Sequence, residues 1–223
     1  MDKKSIKYLI STIAAFSIFL AFTLIVAFAD VSEINGVKVG LSAMNEAYYK
    51  AVPFNNVLYK ITSVTQFICV LGAMFFFVLG IVQWGKRKSL LKVDRNIAAL
   101  GITYAVTIVF YVLFEIVAIN FRPVILRNKV EVSYPSSTTL LSIVFFSTAF
   151  FQICKYIEKT WLKITLISVN FVLMLFLVIG RMLSGVHWLS DIFGAILLGG
   201  AILSTYLLSF SLLTAKERVT AKM

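Results

Sequence analysis

Six stretches of this chain are apolar for long enough to cross a lipid bilayer, and no other feature narrows its possible folds as much. Crossing about 30 Å of hydrocarbon takes roughly 17 to 25 helical residues at a rise of 1.5 Å each. Windows of that length run from Tyr8 to Ala29, Ile61 to Trp84, Ile97 to Ile119, Thr138 to Cys154, Ile164 to Gly180 and Ile192 to Leu213. Hydrocarbon offers no hydrogen-bond partner, so each window is expected to satisfy its own backbone as a helix. With 60% hydrophobic and 14% charged residues among 223, the composition excludes a soluble globular domain. The expectation is an all-α polytopic membrane protein, a six-transmembrane-helix bundle. No repeat or polar linker divides the chain, so residues 1–223 read as one domain.

Charge placement orients the bundle. Lys3, Lys4 and Lys7, then Lys86, Arg87, Lys88, Lys92 and Arg95, then Lys155, Lys159 and Lys163, then Lys216, Arg218 and Lys222 fall on one side of a six-span topology. By the positive-inside rule that side, with both termini, is expected to be cytoplasmic in a bacterial-type plasma membrane. The same residues would meet anionic lipid headgroups there. The net charge of +11 therefore does not point to nucleic acid, for which no basic stripe with interleaved aromatics is present. Lys3, Lys4, Lys7 and the Ala27-Phe28-Ala29 run resemble parts of a signal peptide. The 22-residue apolar run is long for a cleaved leader, however, and it reads as a retained anchor.

Outside the spans, Val39, Leu41, Met44, Tyr48 and Val52 interleave with Asn45, Glu46 and Lys50. That pattern predicts an amphipathic helix in the outer interface, stopped or bent at Pro53. Cys69 and Cys154 lie inside spans and suggest neither a disulfide nor a metal site. One histidine and two scattered cysteines are too few soft ligands for a zinc or iron centre, so neither metal nor cofactor is expected.

The polar residues that remain fall between spans. The segment Arg181-Met-Leu-Ser-Gly-Val-His187-Trp-Leu-Ser-Asp191 contains the only histidine. Arg122, Pro123, Arg127 and Lys129 lie in the preceding outward loop, before Pro135-Ser136-Ser137-Thr138. Four basic residues near the membrane on the side that should be poor in them suggest an anionic ligand, most simply a phosphate. Arginine suits phosphate because its planar fork donates two parallel charge-assisted hydrogen bonds. Ser136, Ser137 and Thr138 at a helix start offer hydroxyls beside free backbone N–H groups, although Ser and Thr there are also ordinary N-caps. His187 and Asp191 are four apart. On a helix they would share a face, the carboxylate fixing the imidazole's tautomer, and with Arg181 upstream they are the minimum parts for forming a phosphohistidine.

Arg181-x5-His187-x3-Asp191, preceded by Pro135-Ser136-Ser137 and Arg122-Pro123, resembles the three-part signature of the phosphatidic acid phosphatase type 2 superfamily. The resemblance spans the six helices and the amphipathic segment after the first. It implies a metal-independent lipid phosphatase with His187 as nucleophile, Asp191 as its orienter, and Arg122 and Arg181 holding phosphate with Ser136, Ser137 and Thr138. Two motif positions depart from the family. Glu115 stands where the first motif has Lys, for which Arg127 or Lys129 would substitute, and Thr138 replaces the general-acid histidine of the second. Gly180 also replaces the leading Ser of the third.

The missing acid bears on the substrate. An alkoxide leaving group has a conjugate acid of pKa roughly 16, by analogy with water, and needs a proton, whereas a phosphate leaves with a pKa of about 6. A lipid diphosphate at the outer membrane face, such as undecaprenyl diphosphate, is therefore the expected substrate. A catalytically inactive relative that binds lipid phosphate or partner helices, and a lipid phosphotransferase, are the alternatives; oligomeric state is not legible. Glu115 is expected to pair with Arg122, two helical turns on, and its other possible use is as a substitute proton donor.

Overall fold

The computed structural model describes residues 1–34, 36–126 and 128–220, with side chains as far as residue 215. Its elements are α1 (Lys3–Phe28), β1 (Ser32–Ile34), β2 (Val37–Val39), α2 (Ser42–Ala51), α3 (Asn56–Thr65), α4 (Phe67–Arg87), α5 (Arg95–Ile116), α6 (Ser137–Tyr156), α7 (Thr160–Leu183) and α8 (Leu189–Thr220). Six helical segments are long and apolar enough to span a membrane, with α3 and α4 together forming the second. Four of them cover their window and extend it into the flanking polar residues, whereas α1 stops one residue short, at Phe28, and α5 three short, at Ile116.

The spans alternate in direction, which gives the bundle two ends. At one end the Ser5 and Ser211 hydroxyls of α1 and α8 share a hydrogen bond of 2.8 Å. At that end too, Asn96 at the start of α5 donates to Gln152 Oε1 near the end of α6, at 2.6 Å. The other end gathers the β-hairpin, α2, the 117–136 loop and the α7–α8 turn. Helix α6 is the centre of the bundle. Over half of its apolar window, 56%, is buried, against 6% for the second and fifth spans, so the side chains of those two, such as Phe75, Phe77 and Val172, face outward. Leu, Ile and Phe on that surface suit lipid rather than water.

Small residues let the helices close in, as bundles in lipid need. A Cβ on Gly194 would lie 2.4 Å from the Tyr134 ring, and one on Gly199 would lie 2.7 Å from Ile143. Gly200, beside it, faces open space instead. Tyr134 is thereby fixed as a plug: its ring meets Phe114 edge-on, and its hydroxyl shares a 2.8 Å hydrogen bond with Thr23 of α1. It ties the 117–136 loop into the bundle.

The interfacial helix α2 forms and ends before Pro53, but Val39 of its apolar pattern lies in β2, Leu41 and Val52 are its caps, and its buried residues are Ser42 and Asn45. The short β1–β2 hairpin was not expected. It turns through Gly36, whose φ of +78° favours glycine, and pairs Ser32 with Val39. Its buried Val37 and Val39 pack on Trp188, just ahead of α8.

Candidate active site

The site is assembled by two connections at one end of the bundle. The 117–136 loop doubles back on itself, with Phe121 bridged to Val132. Arg122 N–H donates to Glu131 C=O at 3.0 Å, and Ser133 N–H donates to Asn120 C=O at 2.9 Å. These bonds carry Arg122 and Ser133 to the same rim. Helix α7 ends at Leu183, where Gly185 turns the chain with φ +62°. A Cβ there would sit 2.8 Å from the Pro53 carbonyl, so both conformation and space require glycine. The turn delivers His187 to the mouth of the bundle, immediately before α8.

His187 and Asp191 do not share a helical face, because α8 begins only at Leu189. Asp191 sits in the first turn and accepts from Trp188 N–H at 3.0 Å, a local cap that favours a carboxylate at the helix start. Its Oδ2 is 3.6 Å from His187 Nδ1, too long for a direct hydrogen bond. Ser133 lies between them: its hydroxyl is 3.2 Å from His187 Nδ1 and donates to Asp191 Oδ2. Asn120 Nδ2 donates to Asp191 Oδ1 at 3.1 Å and is itself held through Gly40 N–H, at 3.0 Å. Asn45 of α2 donates to Ser190 Oγ at 2.9 Å and accepts from Ser190 N–H at 3.1 Å. Histidine and aspartate are 2% and 0% exposed, and this network makes that burial tolerable by satisfying the carboxylate from three sides.

Arg181, 4% exposed, lies on the last turn of α7. Its Nη2 donates to Thr138 Oγ1 at 2.7 Å. Its Nη1 faces Ser63 Oγ at 3.2 Å, Thr62 Oγ1 at 3.3 Å and Tyr59 C=O at 3.4 Å, all on α3. The Tyr59 ring lies 5.0 Å from the guanidinium carbon. Burying an arginine at the end of a span is costly, and charge-assisted hydrogen bonds such as those to Thr138 and Ser63, worth about 1.5 to 3 kcal/mol each, offset that cost. Thr138 in turn donates to Gln66 Oε1 at 2.6 Å, at the junction of α3 and α4.

The other residues expected at the site take varied places. Ser136 is the N-cap of α6, accepting from Thr139 N–H, so its hydroxyl is used within the helix start. Ser137 lines a small pocket together with Glu115, Arg122, Ser133, Tyr134 and His187, and Arg181 is not among its lining residues. Arg122 Nη1 pairs with Glu131 at 3.2 Å. The expected Glu115–Arg122 ion pair is not formed, because α5 ends at Ile116 and no helical register connects residue 115 to residue 122. Lys129 is exposed and bridged to Leu126. Arg127 lies outside the described residues.

Three buried side-chain nitrogens have no hydrogen-bond partner among the described residues: Arg122 Nε, Arg181 Nε and His187 Nε2. Buried polar atoms are rarely left unpaired. The His187 ring is held well below its ordinary pKa, at about 4. Burial is the largest cause, the facing Asp191 carboxylate opposes it, and the nearby Arg122 and Arg181 charges reinforce it. At neutral pH the ring is therefore uncharged, with one nitrogen lone pair free. The fold favours the neutral imidazole, so its contribution to stability is complete above pH 6.5 and is lost as pH falls towards 4. A ring ¹⁵N titration of the single histidine should give a midpoint near 4; a midpoint at 6.5 would mean that the ring is solvated.

Tyr59, Thr62, Ser63, Gln66, Asn120 and Ser133 were not singled out from sequence. Thr62, Ser63 and Gln66 did leave a signal, a polar patch one helical turn long in an apolar span. Asn120 and Ser133 left none, since amides and hydroxyls in loops are ordinary turn residues.

No protein-family model matches the chain, and no curated protein sequence does either. Among solved structures it is similar to the first transmembrane PAP2 type phosphatidylglycerolphosphate phosphatase from Bacillus subtilis. The TM-score is 0.59 at 17% identity, over 93% of this chain and 96% of that one. The chain has the fold of a transmembrane PAP2-type phosphatase.

Proposed function

We propose that the chain is a divergent member of the phosphatidic acid phosphatase type 2 superfamily. It is an integral-membrane lipid phosphatase over residues 1–223, acting at the outer membrane face through a phosphohistidine. The observation that carries this reading is the set of three unpartnered buried nitrogens. Arg122 and His187 line one pocket, and Arg181, outside its lining, is near enough for its charge to act on the ring. Two guanidinium donors and one ring nitrogen suit a phosphoryl group with acceptor oxygens around an electrophilic phosphorus. Shared fold with a phosphatase adds to it.

In the proposed reaction His187 Nε2 attacks the terminal phosphorus while Arg122 and Arg181 hold its oxygens. An N–P bond forms, the P–O bond to the lipid breaks, and the lipid fragment takes the electron pair. Water then attacks the phosphohistidine, the P–N bond breaks, and inorganic phosphate leaves. Nothing at residue 138 helps the first step with a proton, since the Thr138 hydroxyl is tied between Arg181 and Gln66. We therefore assign a lipid diphosphate, undecaprenyl diphosphate being the best match, whose leaving monophosphate needs no proton. Both termini and the basic loops then face the cytoplasm, among anionic lipids.

Phosphate release from a panel of lipid mono- and diphosphates, assayed in EDTA, tests this. The diphosphate should turn over at least about 100-fold faster than phosphatidic acid, roughly 2.7 kcal/mol in barrier. Equal turnover of the two would remove the leaving-group argument, and release lost in EDTA would remove the metal-free mechanism. The tied hydroxyl of Thr138 equally favours an inactive relative that only binds lipid phosphate. Binding without release from any member of the panel would establish that second reading.

A further inference from the structure

We propose that Ser133 is a positioning residue through which Asp191 acts on His187, and that it decides which imidazole nitrogen is free to attack. The proposal rests on the reading of His187 as nucleophile for its kinetic consequence, and on geometry alone for its structural one.

An ionised carboxylate only accepts hydrogen bonds. The Ser133 hydroxyl has one hydrogen, and it is donated to Asp191 Oδ2. Its contact with His187 Nδ1 at 3.2 Å must then run the other way, with Nδ1–H donating to Ser133 Oγ. Direct contact is not an equal alternative: Asp191 Oδ2 stands 3.6 Å from the ring and already accepts from Trp188 N–H and Ser133. Fixing the proton on Nδ1 leaves Nε2 as the lone-pair nitrogen, and Nε2 is the ring atom without a partner among the described residues. One orientation of one hydroxyl thus explains both ring nitrogens.

The arrangement also responds to reaction. When Nε2 becomes bonded to phosphorus the ring gains positive charge, Nδ1–H becomes a stronger donor, and the chain from Nδ1–H through Ser133 to the carboxylate tightens cooperatively. Ser133 is held for this role. Its backbone N–H is bonded to Asn120 C=O, and Tyr134 beside it is anchored to Thr23.

Because the chain has one histidine, protein labelled with ¹⁵N-histidine in detergent micelles gives the signals of one imidazole. At pH 7 the wild type should show Nδ1 protonated and Nε2 bare. The opposite tautomer would overturn the proposal without any variant being made. Ser133→Ala should yield mixed tautomers and a fall in kcat of about 10- to 100-fold with KM within about threefold, the range typical when an outer-shell partner is lost. Ser133→Thr, which keeps the hydroxyl, should recover the Nδ1–H tautomer and most of kcat. An Ala variant with an unchanged tautomer would sink the idea. If no lipid in the panel is hydrolysed but the tautomer shifts as described, the role of Ser133 stands and the phosphatase reading falls.

Discussion

Replacing His187 with alanine or asparagine should abolish phosphate release, by about 10⁴-fold or more, while leaving the protein folded. The size follows from losing the proposed nucleophile: no other side chain described in the pocket offers a nitrogen lone pair, and the proposed clamps would only bind. Enzymes that lose a nucleophile retain only the acceleration given by binding and oxyanion stabilisation. Stability should fall, since the variant forfeits the Nδ1 contact with Ser133 and the packing of a buried ring, and thermal unfolding in detergent checks that the fold is kept. Rapid acid-free quenching with radiolabelled lipid should trap a base-stable, acid-labile phosphoenzyme in the wild type and none in the variant. A variant that keeps a tenth of the wild-type rate would remove His187 from the nucleophile's role.

That experiment tests a residue visible in the sequence; the groups that make it useful were not visible. Apolar length alone located all six spans, since a helix is the only way a single apolar segment can satisfy its backbone in lipid. Helix α2 was legible in outline from Met44 and Tyr48 one turn apart, but its buried residues, Ser42 and Asn45, are polar and were not. The hairpin of Ser32–Ile34 and Val37–Val39 was not, because three-residue strands carry too little alternation to register against their surroundings. The charged residues of the site were legible as costs: an arginine and an aspartate beside apolar spans call for a reason. Their partners were not, because Ser133, Asn120 and Thr62 are inexpensive wherever they stand and gain meaning only when tertiary contacts are known.

The spacing of His187 and Asp191 teaches a finer point. Four residues apart suggested a shared helical face, and the two are indeed neighbours, yet by another route. The chain turns at Gly185, α8 starts at Leu189, and a hydroxyl from a loop 54 residues upstream of the histidine fills the space between them. A contact at the expected separation therefore had a different cause. The pairing of Glu115 with Arg122 failed for the same reason, since it assumed that the helix continues beyond Ile116. Local periodicity gives proximity only where the element persists, and functional loops are where elements stop.

Arg181→Lys should lower kcat/KM by about 10²- to 10³-fold while keeping the formal charge. The wild-type guanidinium divides its donors by geometry: Nη1 and Nη2 are engaged with Ser63 and Thr138, and Nε is left unpartnered. An ammonium is a point charge on a flexible stem and cannot hold the α3 hydroxyls, reach Thr138 and present a further donor in a fixed plane. Losing one preorganised donor to a developing oxyanion is worth about 10²- to 10³-fold. The same substitution leaves Thr138 and Ser63 without their donor, so thermal unfolding in detergent should fall by a few degrees, as expected for about 1 to 2 kcal/mol in a chain of this length. The two effects are separable by pairing the variant with Ser63→Ala. That change removes one anchor of the arginine without touching its charge or Nε, and it should lower the unfolding temperature with less than about tenfold loss of kcat/KM. Matching losses of activity in both variants would make Arg181 a structural strut between α3 and α7, leaving Arg122 as the phosphate's sole clamp.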